Sequence, residues 1–196
     1  MDPHDFWDQK HAEGDRHALS GYDFSSLNRY HALPVPRGKV VTNIGIGTGA
    51  TEFELLALGN EVQSVDITSR AFTAVAGRGV HCFLPAFIQL ADPADLALCH
   101  LVVQHNTTLA LRRLFTELPL KPGGILSIQI ANCEFPTRLT PMDQAYLRDG
   151  LLHFYSPEYF MEFLASIPHL EAKLGPSYAF EEEGIDWWII RCTARQ

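Results

Sequence analysis

The sequence predicts an α/β fold: a doubly wound, mostly parallel sheet with helices on both faces and an antiparallel C-terminal strand. Three observations lead there. From Lys39 onward, short apolar, β-branched runs alternate with helical segments over short links. Three glycines alternate at 45, 47 and 49, directly between the first such run and the helix after it. The last run, Trp187-Trp188-Ile189-Ile190-Arg191-Cys192, has no helix after it, so it pairs antiparallel with an earlier strand.

The elements follow in order. Asp2-Pro3 starts a short helix that Gly14 ends, with Trp7 and His11 on one face at i, i+4. Residues 1–31 read as an N-terminal helical lid segment, rich in aromatic residues and histidine, and 32–196 as one domain entered through Pro34-Val35-Pro36-Arg37-Gly38. Val40–Ile44 is the first strand, Thr51–Leu58 a helix closed by Gly59, and Val62–Val65 a second strand ending at Asp66. Ser69–Ala76 reads as a helix, Val80–Leu84 and Leu96–Leu101 as strands three and four. Asn106 or Thr107 caps a helix whose apolar face is Leu111, Leu114, Phe115 and Leu118. Pro122-Gly123-Gly124 is a turn into a fifth strand, Ile125–Ile130. Ser156-Pro157-Glu158 starts a late helix that buries Phe160, Phe163, Leu164 and Ile167.

Bulk properties bound the function. The chain has 196 residues, 46% hydrophobic and 19% charged, with a formal net charge of −8. An acidic chain without a Lys/Arg run has no electrostatic reason to seek nucleic acid or anionic lipid, so no nucleic-acid or membrane partner is expected. The start has neither a basic nor an apolar region, and Leu96–Val103 is too short to span a bilayer, so a cytoplasmic location is expected. Cys82, Cys99, Cys133 and Cys192 form no CxxC pair and read as reduced, mostly buried thiols; no metal site is expected. Nothing indicates an oligomeric state.

The glycine loop carries the functional signal. Glycine permits φ > 0 and close backbone approach, and the helix that follows turns free N–H groups toward the same space. Asp66 lies seventeen residues past Gly49, at the end of the next strand, where a carboxylate can accept both ribose hydroxyls of a nucleoside. Gly45, Gly47 and Ala50 also satisfy the looser dinucleotide pattern GxGxxA, which keeps a nicotinamide-dependent oxidoreductase as an alternative.

The alternation Gly45-Ile46-Gly47-Thr48-Gly49 resembles the first motif of class I S-adenosylmethionine-dependent methyltransferases. Three further segments carry the resemblance across residues 39–170. They are Asp95–His100 followed by Val102–His105, Leu120-Lys121-Pro122-Gly123-Gly124-Ile125-Leu126, and Phe154-Tyr155-Ser156-Pro157-Glu158. The resemblance implies a Rossmann-like, seven-stranded sheet, S-adenosylmethionine as cofactor, and methyl transfer. With no large inserted substrate domain, only residues 1–31 and 131–155 are free to shape a pocket, so the acceptor is expected to be a small molecule, a sugar or natural-product intermediate methylated on oxygen. The resemblance also implies roles: Gly45, Gly47 and Gly49 line the methionine part, Asp66 holds the ribose, Ile67 packs on adenine, and Cys99 and His100 face the methionine moiety. Trp7 covers the site. The chain departs from the family at Asn43, where an acid usually helps to fix the cofactor's ammonium. That departure leaves a non-catalytic S-adenosylmethionine-binding module as a second alternative, and predicts that Asn43→Asp preserves or tightens binding. His105, His153 and Tyr155 are the candidate bases, each also readable as a packing residue. Arg138, His17 and Tyr22 could line a pocket.

Overall fold

The computed structural model describes residues 2–15, 19, 21–131, 148, 151–180 and 185–195. Helix α1 (Pro3–Glu13) is capped by Asp2, whose carboxylate accepts the His4 N–H, and ends at Gly14 in the left-handed conformation. Helix α2 (Phe24–His31) is capped by Asp23 and buries Phe24, Leu27 and His31, one face at i, i+3, i+7. Then come β1 (Val40–Ile44), α3 (Ala50–Ala57), β2 (Glu61–Val65), a 3-10 segment at Ser69–Val75, β3 (His81–Phe83) and a 3-10 segment at Pro85–Leu90. These are followed by β4 (Ala94–Cys99), a 3-10 turn at Val103–His105, α4 (Thr108–Glu117), β5 (Leu120–Ala131), α5 (Pro157–Ala165), β6 (Leu170–Phe180) and β7 (Ile185–Ala194).

The seven strands form one sheet in the order β3-β2-β1-β4-β5-β7-β6. The first five are parallel; β7 runs antiparallel to both β5 and β6. This is the expected Rossmann-like, doubly wound arrangement. The strand order reverses direction between β1 and β4, which is where an open α/β sheet leaves a crevice at its carboxyl ends.

Strand alternation divides the core in two. On one face Ile44, Val65, Ala97, Cys99, Leu126, Ile128 and Ile130 meet Leu111, Leu114 and Phe115 of α4 and Phe160, Phe163 and Leu164 of α5. On the other, Val41, Val62, Leu96 and Leu98 pack under Phe24 of α2 and Leu55 of α3. Along this second face a polar row interrupts the apolar one. Ser64, Asn43, Leu98, Ser127 and Arg191 are successive register partners from β2 to β7.

Three elements differ from the sequence expectation. The segment after β2 is a 3-10 helix with Thr68 as its cap, because the glycines at 77 and 79 end it before an α-helical ladder can build. Pro122-Gly123-Gly124 is absorbed into the start of β5, where the β4–β5 register shifts between Ala94 and Leu96. The seventh strand is β6, an edge strand interrupted by Gly175-Pro176, where its register with β7 shifts.

Candidate functional site

The site is built where β1 and β2 end. Gly45, Gly47 and Gly49 have φ of 87°, 54° and 82°, a left-handed run that ordinary side chains resist. The first and last also have packing reasons to be glycine. A Cβ on Gly45 would clash with Val102 Cγ2, and one on Gly49 would lie 2.9 Å from Val75 Cγ1. Gly45 N–H donates to Val65 O (2.7 Å), tying the loop to the end of β2. Gly49 caps α3 without a side-chain acceptor, so the positive end of that helix stays directed at the loop.

Asp66 closes the other side of the loop. Its Oδ2 accepts from Ile46 N–H (2.9 Å) and its Oδ1 from Thr68 N–H (3.2 Å). Burial pushes the carboxyl above its usual range, while these N–H groups and His11 pull it back. Ile67 is half-buried beside it.

Helix α1 crosses this region from one strand end to another. Asp8 accepts from Thr68 Oγ1 (2.6 Å) and Arg70 Nε (2.9 Å), just past β2. One residue earlier, Trp7 meets His105 edge-to-face beyond β4, with ring centroids 4.8 Å apart. Leu101, at φ 59°, turns the chain out of β4 toward His105; this non-glycine residue in the left-handed region stores a little strain beside the site.

His105 is oriented. Its Nδ1 lies 3.0 Å from Leu151 O, and a carbonyl only accepts, so Nδ1 carries the hydrogen and Nε2 keeps its lone pair. The Gln104 amide nitrogen sits 3.3 Å from that Nε2. His153 joins the same strap through its backbone, donating to Gln104 O (2.6 Å). Its ring stacks at 6.3 Å from that of Tyr155. The Tyr155 hydroxyl donates to Asn106 O, and burial pushes it up to about 12.

Two implied contacts are corrected in their side chains. Strand alternation puts Cys99 on the α4/α5 face, wholly buried in the core, and burial pushes its thiol up. His100 turns to the opposite face, where Nε2 lies 3.1 Å from Ser127 Oγ and its ring lies tilted against that of His31, centroids 4.0 Å apart. Any part these two play at the loop runs through their backbone. Cys82 and Cys192, also free thiols, are pushed up by burial to about 11 and about 12, which keeps them protonated. Arg138, His17 and Cys133 lie outside the described residues.

Asn43 does not stand alone. Its Nδ2 donates to Gly45 O (2.9 Å) and to Glu52 Oε1 (2.8 Å). Sequence reasoning missed Glu52, although a charged residue in the first turn of a helix otherwise packed on a sheet was a visible signal. It also missed Asp8, which bonds Thr68 and Arg70 just past Asp66, and His11, which acts on Asp66 electrostatically; both are distant in sequence and carry no local signature.

Elsewhere, a depression of about 460 Å³ opens at the opposite ends of the strands, between Pro34–Arg37 and Lys121–Ile125. Its Lys39 and Lys121 both pair with Asp95, and the glycine loop lies at the carboxyl ends of the strands, away from it. Among the described residues no three His, Cys, Asp or Glu side chains group as metal ligands, and no helix is long and apolar enough to cross a membrane.

No protein-family model matches the chain, and no curated protein matches it in sequence. Solved structures do match in fold. The 1,6-didemethyltoxoflavin-N1-methyltransferase of Burkholderia thailandensis, solved with 1,6-didemethyltoxoflavin and S-adenosylhomocysteine, superposes with a TM-score of 0.70. It is 18% identical, over 99% of this chain and 87% of that one. The magnesium protoporphyrin IX methyltransferase of Synechocystis, with bound S-adenosylhomocysteine, gives 0.64 at 14% identity over 98% of both chains. A Haemonchus contortus phosphoethanolamine N-methyltransferase gives 0.63 at 14%, over 87% of this chain and 51% of that one. The sheet of this chain, with its antiparallel C-terminal strands, is the fold of these Rossmann-like methyltransferases.

Proposed function

We propose that the chain is an S-adenosylmethionine-dependent methyltransferase acting on a small-molecule acceptor, with an oxygen as the atom methylated. The observation that carries this reading is the left-handed glycine loop at the sheet's switch point, flanked by a half-buried carboxylate and crossed by α1. The fold shared with solved methyltransferases supports it.

The residues fit such a cofactor. Each Asp66 oxygen accepts one backbone N–H and retains capacity for a hydroxyl, which suits a ribose diol. Ile67 would pack on the adenine, Trp7 would cover the site, and the loop 45–49 would lie along the methionine part. Once bound, the cofactor's sulfonium supplies both the methyl group and its leaving sulfur. The chain's own part is alignment, exclusion of water by α1, and proton removal. His105 Nε2 is the atom we assign to take the acceptor's proton, with the acceptor hydroxyl replacing the Gln104 amide beside it. His153 belongs to the strap that orients His105, not to the reaction.

Isothermal titration tests the class. S-adenosylhomocysteine should bind with micromolar affinity or better, and NADH should not bind. NADH binding in its place would establish the oxidoreductase alternative. Turnover of a panel of hydroxyl and amine acceptors with labelled S-adenosylmethionine then tests the oxygen assignment, and transfer only to amines would refute it.

A further inference from the structure

The face of the sheet under α2 carries polar groups that the fold leaves unanswered. Ser127, Gln129 and Ala131 alternate along β5 on that face, and Arg191, Ile189 and Trp187 stand opposite them on β7. Two contacts fix the facing: Ser127 Oγ lies 2.9 Å from His31 Nδ1, and Arg191 Nη2 donates to His31 O (2.9 Å). Gln129 is 0% exposed, yet neither Oε1 nor Nε2 of its amide has a hydrogen-bond partner. His31 Nε2, across the ring from the atom that meets Ser127, and the Trp187 Nε1–H are also buried and unpartnered. These two residues are 2% and 4% exposed, and Trp187 is a diagonal neighbour of Gln129 across the β5–β7 pair.

Elsewhere the chain satisfies its buried amides. Gln63, also 0% exposed, bonds the Asp92 backbone with both ends of its amide (2.9 and 2.7 Å). Asn60 accepts from Lys39 N–H and donates to Pro36 O and Leu55 O. A buried amide left bare at both ends costs stability that a methionine of the same length would not. Gln129, His31 and Trp187 together turn four such atoms, from three elements, to one face of the sheet.

The place suits the methyl acceptor. Ala131 and Trp187 pack in one cluster with Tyr22 and Phe154. Tyr22 O accepts from Thr51 Oγ1 (3.0 Å), just past the glycine loop, and Phe154 belongs to the strap that orients His105. The cluster therefore lies between the loop and the proposed base.

We infer that Gln129, His31 and Trp187 select the methyl acceptor, a neutral flat ring whose edge sets a carbonyl beside an N–H or O–H. The inference rests on the methyltransferase reading above and deepens it. A primary amide offers a donor and an acceptor side by side, the complement of that edge, and the indole N–H donates to a further acceptor atom. Aromatic walls favour a flat molecule. The His31 ring lies 4.0 Å from that of His100 and 6.2 Å from that of Tyr178, the register partner of Trp187. The charged side chain acting on His31 is Arg191, and among the described residues no carboxylate acts on either histidine, so the site has no answer to a cationic amine.

The test uses two small rings. 3-Hydroxy-2-pyridone carries the proposed edge and a hydroxyl; phenol has the hydroxyl without the edge. Titrated with and without S-adenosylhomocysteine, wild type should bind the pyridone at least about tenfold tighter than phenol. Gln129→Met should abolish that preference and raise the melting temperature by about 2–4 °C, because it removes an unanswered amide at nearly constant volume. Trp187→Phe keeps an aromatic ring without the N–H, and should weaken the pyridone by about threefold or more while leaving phenol within about twofold. Equal affinity of wild type for the two rings overturns the inference, and so does a preference that survives Gln129→Met or Trp187→Phe. A Gln129→Met protein that melts lower or fails to fold also overturns it, since the amide is then bonded within the protein. If the pyridone binds as expected and S-adenosylhomocysteine does not, the ring-binding site stands and the methyltransferase reading falls, a failure distinct from these.

Discussion

Acid should unfold this protein through His31. The ring is 2% exposed, its Nδ1 sits 2.9 Å from Ser127 Oγ, and it lies tilted against His100 at 4.0 Å, which approaches the same hydroxyl. Burial first, and Arg191 second, lower His31 to about 4 from an ordinary 6.5. The folded state therefore holds its proton less tightly than the unfolded chain. The associated stability is fully present above pH 6.5 and is lost as pH falls toward about 4. At about 1.4 kcal/mol per tenfold change in proton affinity, the loss reaches about 3 kcal/mol below pH 4. The site cannot accommodate the charge: protonation would put an imidazolium against a second buried imidazole and near the Arg191 guanidinium. Urea unfolding at pH 7, 5.5 and 4.5 measures the slope. Compared with wild type, His31→Gln should lose less stability across this range, by up to about 3 kcal/mol. Parallel pH dependences for the two proteins would refute the reasoning, because every other titrating group is common to both.

Four further outcomes follow from the site. Asp66→Ala should weaken S-adenosylhomocysteine by about 1.5–3 kcal/mol, read by titration, with the fold intact by circular dichroism. Gly45→Ala should cost about 1–3 kcal/mol of stability, since the new Cβ meets Val102 at a positive φ; adding Val102→Ala should recover the steric part, measured by thermal melts. Trp7→Ala should loosen cofactor binding by about 1 kcal/mol through loss of the His105 contact, seen in the same titration. Asn43→Asp alone sets a second carboxyl against Glu52, so it should lower the melting temperature and loosen S-adenosylhomocysteine binding. A tighter complex would refute that placement.

The last outcome reverses what the sequence alone leads one to expect. Read as a strand residue, Asn43 is a missing acid. The acid is nine residues later, on a helix, and only the packing of α3 across β1 and β2 brings the two together. Periodicity and caps were legible where one face is buried, as in α4, which buries Leu111, Leu114 and Phe115, and α5, which buries Phe160, Phe163 and Leu164. Strand β6 was not, because an edge strand with exposed Glu171, Lys173 and Leu174 carries little alternation. The helix α2 hid behind two serines and an asparagine, although Asp23 is a good cap. At the site, the glycine loop and Asp66 were legible because their chemistry is local. Cys99 and His100 misled because the end of β4 presents its backbone, and strand alternation sends their side chains to opposite faces.

The place of β7 has a consequence for synthesis. The strand of the sheet that is made last, β7, lies inside it, with β5 on one side and β6 on the other. While the ribosome is still making residues 185–194, the long edge of β5 has no neighbour, and β6 has nothing to pair with. The parallel half can assemble on the emerging chain, but the sheet is completed only once residues 185–194 are available, by the β6–β7 hairpin docking as a unit. Until then, residues 125–131 expose apolar strand edge to any other nascent chain, which makes the final step the one a chaperone has most reason to guard.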